Sequence, residues 1–228
     1  MILVPVKNLQ HAKQRMASIL DQFTRTQLAK TMLLDVLQAI AAYKREKAAI
    51  VTSDQFAMEQ AEYFGFDVIA DRSNTSETDA IEVATGVCKS RGVETTLVIP
   101  GDIPLIQPED LAAIFEHAPK LGCVVVPSAD NRGTNAVLRT PVELFPLRFG
   151  NDSFWPHLSA AIATGKPSVV LPLSRIALDI DTAEDLRQLA NVAGEKPSQQ
   201  LARNLVDKIN APDSVVSALT ETSTAAER

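Results

Sequence analysis

The residues best placed to do chemistry in this chain are carboxylates that follow apolar runs. Ile99-Pro-Gly-Asp102-Ile-Pro104 sets an aspartate just past Thr95 to Ile99, an aliphatic and β-branched run that reads as a central strand buried on both faces. In open α/β sheets, ligands gather at the carboxyl edge of the strands. Gly101 lets the backbone turn there or approach a ligand closely. A carboxylate at that edge suits magnesium, which takes few protein ligands and completes its shell with phosphate oxygens and water. A plain turn would use the same Gly-Asp pair. Leu178-Asp179-Ile180-Asp181-Thr182 adds two carboxylates two residues apart, on one face if the chain is extended. Such like charges repel, and a cation relieves the repulsion. Capping competes for this string, because Thr182 and Asp185 have capping-box spacing.

Three cations, Lys7, Lys13 and Arg15, follow the first apolar run, where loops often hold phosphate. A solvated face would look the same. Neither G-x-x-x-x-G-K-[ST] nor G-x-G-x-x-G is present, which excludes a P-loop and a dinucleotide fingerprint. Arg132-Gly133-Thr134-Asn135 and Phe149-Gly150-Asn151-Asp152-Ser153-Phe154 combine glycine with short donors. Freed backbone amides and a serine at a helix start can hold a carboxylate or phosphate, although Ser153 also reads as an ordinary N-cap. His11, His117 and His157 have no spacing that suggests a metal site or a nucleophile-base pair, and read as surface or packing residues. Cys88 and Cys123 lack a C-x-x-C partner and read as buried apolar fillers.

The elements that must position these residues alternate between short β-branched runs and longer segments of helical period. That pattern predicts a single α/β domain with a mostly parallel sheet and helices on both faces. Strands are predicted at Ile2 to Val6, Ala48 to Thr52, Asp67 to Ala70, Thr95 to Ile99, Gly122 to Pro127, Asn135 to Leu138 (antiparallel, as one option), Ser168 to Leu171 and Ile176 to Ile180. Helices are predicted at Arg25 to Tyr43, Gln55 to Phe64, Asp79 to Ser90, Pro108 to His117, Ser153 to Thr164 and Ala183 to Ala190. Residues 1–195 form the predicted domain; residues 196–228 form an extension with one helix at Gln199 to Ile209 and a frayed polar end.

Composition narrows the partners. At 228 residues with 46% hydrophobic and 22% charged residues, the chain has the make-up of a folded globular domain. The formal net charge is −6 and no run of five or six basic residues occurs, so nucleic acid is not expected as a partner. The opening Met-Ile-Leu-Val-Pro-Val is short for a signal peptide, and no stretch is long and apolar enough for a membrane span, so a cytoplasmic protein is expected.

Taken in order, Val4-Pro-Val-Lys7, Lys13-x-Arg15, Gly101-Asp102-x-Pro104, R-G-T-N, F-G-x-x-S-F and L-D-I-D-T resemble the guanylyltransferases of coenzyme F420 biosynthesis, over roughly residues 1 to 190. The resemblance implies a nucleotidyltransferase of GT-A-like, Rossmann-type architecture. It would join the GMP part of GTP to 2-phospho-L-lactate, phosphoenolpyruvate or 3-phosphoglycerate, with magnesium, and a homodimer is common in that family. It further implies that Asp102, Asp179 and Asp181 bind the metal. Thr134, Gly150 and Ser153 would hold the acid's carboxylate, largely through backbone amides, while Lys7, Lys13 and Arg15 would face the triphosphate and serve catalysis. Ser76-Glu77-Thr78-Asp79-Ala80 stands where relatives usually carry small residues with asparagine near the guanine, so Glu77 and Asp79 are expected at the base. The glycine-rich opening loop of molybdopterin guanylyltransferases and sugar-phosphate cytidylyltransferases has no counterpart, since Leu3 to Arg15 contains no glycine.

Overall fold

The computed structural model describes residues 1–71, 76–150 and 152–211. Its centre is a seven-stranded sheet built from β1 (Ile2–Val6), β2 (Ala48–Thr52), β3 (Asp67–Ala70), β4 (Thr96–Val98), β5 (Gly122–Pro127), β6 (Thr134–Thr140) and β7 (Ser168–Val170), in the spatial order β3-β2-β1-β4-β6-β5-β7. All neighbours are parallel except β6, which runs antiparallel between β4 and β5. The chain winds one way from β1 to β3 and the other way from β4 onward, so a crevice opens where the order reverses, beyond the carboxyl ends of β1 and β4. Because β6 is reversed, it starts at the edge where its neighbours end. Thr134 therefore sits opposite Pro127, on the same rim as Lys7 and Asp102.

Both faces of the sheet are covered because strand side chains alternate. Ile2, Val4 and Val6 of β1 pack with α1 (Gln22–Tyr43), α2 (Gln55–Phe64) and α4 (Pro108–Glu116). Leu3 points the other way, into a layer with α3 (Glu77–Ser90) and α5 (Phe154–Ala163). Cys88 and Cys123 are free, buried members of this second layer, as expected of apolar fillers. A third cluster joins Leu28 and Met32 of α1 to Ile180, to Leu186 and Leu189 of α7 (Ala183–Asn191), and to Ala202 and Leu205 of α8 (Pro197–Asn210). Helix α8 thus packs on α1 and α7, with Asp35 of α1 accepting from the Ser198 amide at 3.1 Å. No helix among the described residues is long and apolar enough to cross a membrane. The polar end from Glu221 lies outside the described residues.

One predicted strand is replaced. Ile176 to Ile180 adds nothing to the sheet; Ser174–Ala177 forms a single turn, α6, and Leu178 to Ile180 continues without strand pairing. The physical reason lies in its carbonyls. Asn135 Nδ2 takes Ile176 O and Ala177 O at 2.9 and 3.1 Å, and Ala129 N takes Ala177 O at 2.9 Å, so groups that a ladder would use are already satisfied across the crevice.

Two glycines give an internal comparison. Gly122 begins β5 at φ +143, with Pro167 O and the Pro119 ring where a Cβ would stand, whereas Gly86 within α3 has open space around it. Gly122→Ala is expected to lose roughly 2 kcal/mol or more, and Gly86→Ala to gain about 0.5–1 kcal/mol from helix propensity. Urea unfolding of both variants measures the two signs; a neutral Gly122→Ala would contradict the packing of the β5 start.

Candidate active site

Three separate segments meet at one ammonium group. Lys13 lies in the irregular stretch between β1 and α1, in a left-handed conformation at φ 54. Its Nζ is 2.6 Å from Asp102 Oδ2 and 2.8 Å from Asp181 Oδ1. Burial alone would lower the Lys13 pKa; the two carboxylates outweigh it and raise the pKa above the ordinary lysine value. Asp181 shows the reciprocal effect, its burial overcome by Lys13 and then Arg15, so it is held below the usual carboxylate range. The backbone repeats the link, Ile180 N donating to Asp102 O at 3.1 Å.

The capping reading holds for Thr182 and Asp185 and leaves Asp181 outside the cap. Thr182 is the N-cap of α7 and forms a reciprocal capping box with Asp185. Asp181 faces Lys13 and Arg15, whose Nη1 is 3.5 Å from Asp181 Oδ2. Asp179 is oriented by Asn135 Nδ2 at 3.1 Å. Its pKa is raised by burial and then by the neighbouring charges of Asp102 and Asp181. Asn135 did not stand out in the sequence beyond its place in R-G-T-N.

Two cavities flank this cluster, of about 660 and 430 Å³, and Glu77, Pro100 and Asp102 line both. The smaller lies over the end of β1, with Lys7 and Lys13 in its wall. Lys7 Nζ is 2.6 Å from the buried carboxylate of Asp71, at the end of β3, a partner with no sequence signal beyond following a strand. The larger contains Arg15, Asp179, Asp181, Thr134, Gly150 and Ser153 besides Asp102, so the residues expected at the acid and all three expected at the metal share one space. Gly150 adopts φ +129, a conformation that side chains disfavour. Asn151 of the same loop lies outside the described residues.

Glu77 and Asp79 diverge. Glu77, at the start of α3, faces both cavities; burial and then the Asp102 charge push its carboxyl up to about 7. Asp79 turns to its own helix start, accepting from Ser76 Oγ at 2.7 Å while its amide donates back to that oxygen at 3.0 Å. Thr78 Oγ1 accepts from Phe149 N at 3.1 Å, which ties α3 to the Gly150 loop. A second tie spans the rim, where Arg132 Nε and Nη2 donate to Asp152 at 2.6 and 3.2 Å.

Ser153 heads α5 without a capping bond; its Oγ accepts from Thr134 N at 3.0 Å instead. The Thr134 amide is therefore engaged within the protein. Behind them lies His157, one turn into α5 and 1% exposed. Its Nε2 accepts from Arg148 N at 2.8 Å and its Nδ1 lies 3.0 Å from Thr134 Oγ1. The packing role expected for this histidine is met, and a polar network comes with it. The signal that could have exposed it is its place one turn past Ser153 on the same helix face.

Burial, and then the charge of Arg139, lower the His157 pKa to about 4 from 6.5. The unfolded chain therefore takes up this proton first as pH falls. Stability from this group is full above pH 6.5 and is lost between 6.5 and 4, by about 3 kcal/mol in total. Urea unfolding across that window should show a smaller loss in His157→Asn than in the unmodified protein; equal slopes would contradict a buried neutral ring.

The chain resembles known proteins along nearly its whole length. Residues 1–218 match the family described as "Guanylyl transferase CofC like". A phosphoenolpyruvate guanylyltransferase of Roseiflexus castenholzii is 31% identical over 90% of this chain and 94% of its own. A 2-phospho-L-lactate guanylyltransferase of Methanothermobacter thermautotrophicus is 30% identical over 82% of each chain. Among solved structures, one described as a nucleotide-diphospho-sugar transferase from Desulfovibrio desulfuricans G20 superposes with a TM-score of 0.73 over 92% of this chain and 98% of its own, at 18% identity, which supports the fold alone. With its strand order, aspartate cluster and ordered motifs accounted for, the chain belongs to the CofC-like guanylyl transferase family, whose members are nucleotidyltransferase enzymes.

Proposed function

We propose that this protein transfers GMP from GTP to a small phosphorylated three-carbon acid and releases pyrophosphate, in the making of coenzyme F420. The observation that carries the reading is the pair of cavities sharing Asp102, one with lysines in its wall and one with the Thr134, Gly150 and Ser153 donors. The triphosphate fits the first, against Lys7 and Lys13. The acid fits the second, with its carboxylate toward Thr134 and Ser153 and its phosphate toward the shared wall. A phosphate oxygen of the acid then attacks the α-phosphorus and pyrophosphate departs on the opposite side. No general base is required, because the attacking phosphate is already ionised near neutral pH. The protein contributes alignment and charge.

The donor set suits magnesium. Glu77, Asp102, Asp179 and Asp181 crowd the junction, and both Glu77 and Asp179 bind protons more tightly than ordinary carboxylates do, which marks a surplus of negative charge. Among the described residues no group of three or more His, Cys, Asp or Glu side chains is arranged to hold a metal ion by itself. Magnesium needs only one or two carboxylates beside phosphate oxygens and water. Asp102 with Asp179 or Asp181 would hold it, and when bound it would offset the repulsion between nucleotide and acid. Lys13 keeps Asp102 and Asp181 at a fixed separation, and Asn135 keeps Asp179 turned inward. With GTP and a phosphorylated metabolite as the proposed substrates, the reaction would run in the cytoplasm.

Incubation with GTP, magnesium and each of phosphoenolpyruvate, 2-phospho-L-lactate and 3-phosphoglycerate should release pyrophosphate with at least one acid, and ATP should substitute poorly. Release from none of the three, or equal use of ATP, would defeat the assignment. Asp102→Asn is expected to lower kcat by on the order of a thousandfold with the fold intact, since the chemistry is mostly charge neutralisation. Activity within threefold of the unmodified protein would remove Asp102 from the centre.

A further inference from the structure

We propose that His157 is a positioning residue that fixes the hydrogen-bond polarity of the larger cavity, so that the Thr134 and Ser153 hydroxyls both present protons to an anion. The inference rests on the reading that this cavity takes the phosphorylated acid.

A backbone amide has only a proton to give, so Arg148 N, 2.8 Å from His157 Nε2, makes that nitrogen an acceptor. The neutral ring then carries its proton on Nδ1, 3.0 Å from Thr134 Oγ1. Thr134 must accept there, and its own proton is directed elsewhere. The same logic applies next door, where the Thr134 amide donates to Ser153 Oγ at 3.0 Å and leaves the serine proton free to point away. Among the described residues neither hydroxyl proton has an acceptor, although both side chains are at least 95% buried and both residues line the cavity. Buried hydroxyls in that state are donors awaiting an acceptor.

The relay has support from its surroundings. Phe149 packs edge-on against the imidazole at 5.1 Å between ring centres, which fixes the ring plane. The depressed pKa keeps the ring neutral at neutral pH, so the proton assignment holds where the protein would work. Were the ring reversed or charged, Arg148 N would lose its acceptor. A merely space-filling residue at this place would need neither contact.

The test uses His157→Phe, His157→Asn, Thr134→Val and the double variant His157→Phe/Thr134→Val in the full-length protein. Steady-state kinetics are measured with GTP and whichever of the three acids the unmodified protein uses, with thermal unfolding alongside. His157→Phe is expected to raise KM for the acid about tenfold or more while KM for GTP changes less than about twofold. His157→Asn places an amide N–H near the Nδ1 position and should recover most of that loss. The double variant should be no worse than Thr134→Val, because the histidine acts through the threonine. Should His157→Phe fail to fold, His157→Gln replaces it, since its amide reaches the Nε2 position and leaves Thr134 without its donor. Equal losses in the Phe and Asn variants, additive losses in the double variant, or an unchanged acid KM would each overturn the inference while leaving guanylyl transfer intact. An unmodified protein that uses none of the acids would overturn both.

Discussion

The structure turns on the Lys13 ammonium held between Asp102 and Asp181. Two carboxylates facing each other in a half-buried crevice would repel by a few kcal/mol at an effective dielectric near 20. The lysine converts that repulsion into two attractive contacts. Doing so fixes the segment after β1, the turn after β4 and the segment before α7 against one another. It also accounts for a left-handed residue that is not glycine, a conformation that costs on the order of 1 kcal/mol and persists only where surrounding contacts require it. The Ile180 to Asp102 backbone bond then needs no further guidance.

Around this junction the polar inventory is divided between holding the frame and serving a ligand. Asn135 spends its amide on two carbonyls and Asp179, and thereby keeps a late segment from joining the sheet. Thr78 and the Arg132–Asp152 pair secure the loop that carries Gly150. The groups left to meet a ligand are those on the walls of the two cavities. The apolar layers on both sides of the sheet supply a rigid platform, so small displacements at the rim are resisted by packing rather than by hydrogen bonds alone.

Much of this was legible in the sequence because it depended on local pattern. Gly122 to Pro127 and Ile2 to Val6 were delimited by their β-branched runs, and the capping box at Thr182 by its spacing. The grouping of Asp102, Asp179 and Asp181 followed from the family resemblance that the order of the motifs carries. The missing parts depended on contacts distant in sequence. Ile176 to Ile180 has the composition of a strand, and only Asn135, on another element, satisfies its carbonyls differently. His157 looked like packing because its contacts with Arg148 N and Thr134 Oγ1 join segments 9 and 23 residues away, which no local pattern marks. Asp71 as the partner of Lys7, and Asp102 and Asp181 as the partners of Lys13, are likewise products of tertiary placement.

The central claim is that nucleotide and acid occupy different cavities and meet at Asp102. The most direct measurement is a crystal structure with a non-hydrolysable GTP analogue, manganese in place of magnesium, and phosphoenolpyruvate. The α-phosphate and the acid's phosphate should lie on either side of Asp102, with the manganese signal on that carboxylate and the acid's carboxylate at Thr134 and Ser153. Both ligands in one cavity, or manganese bound away from Asp102, would contradict the account.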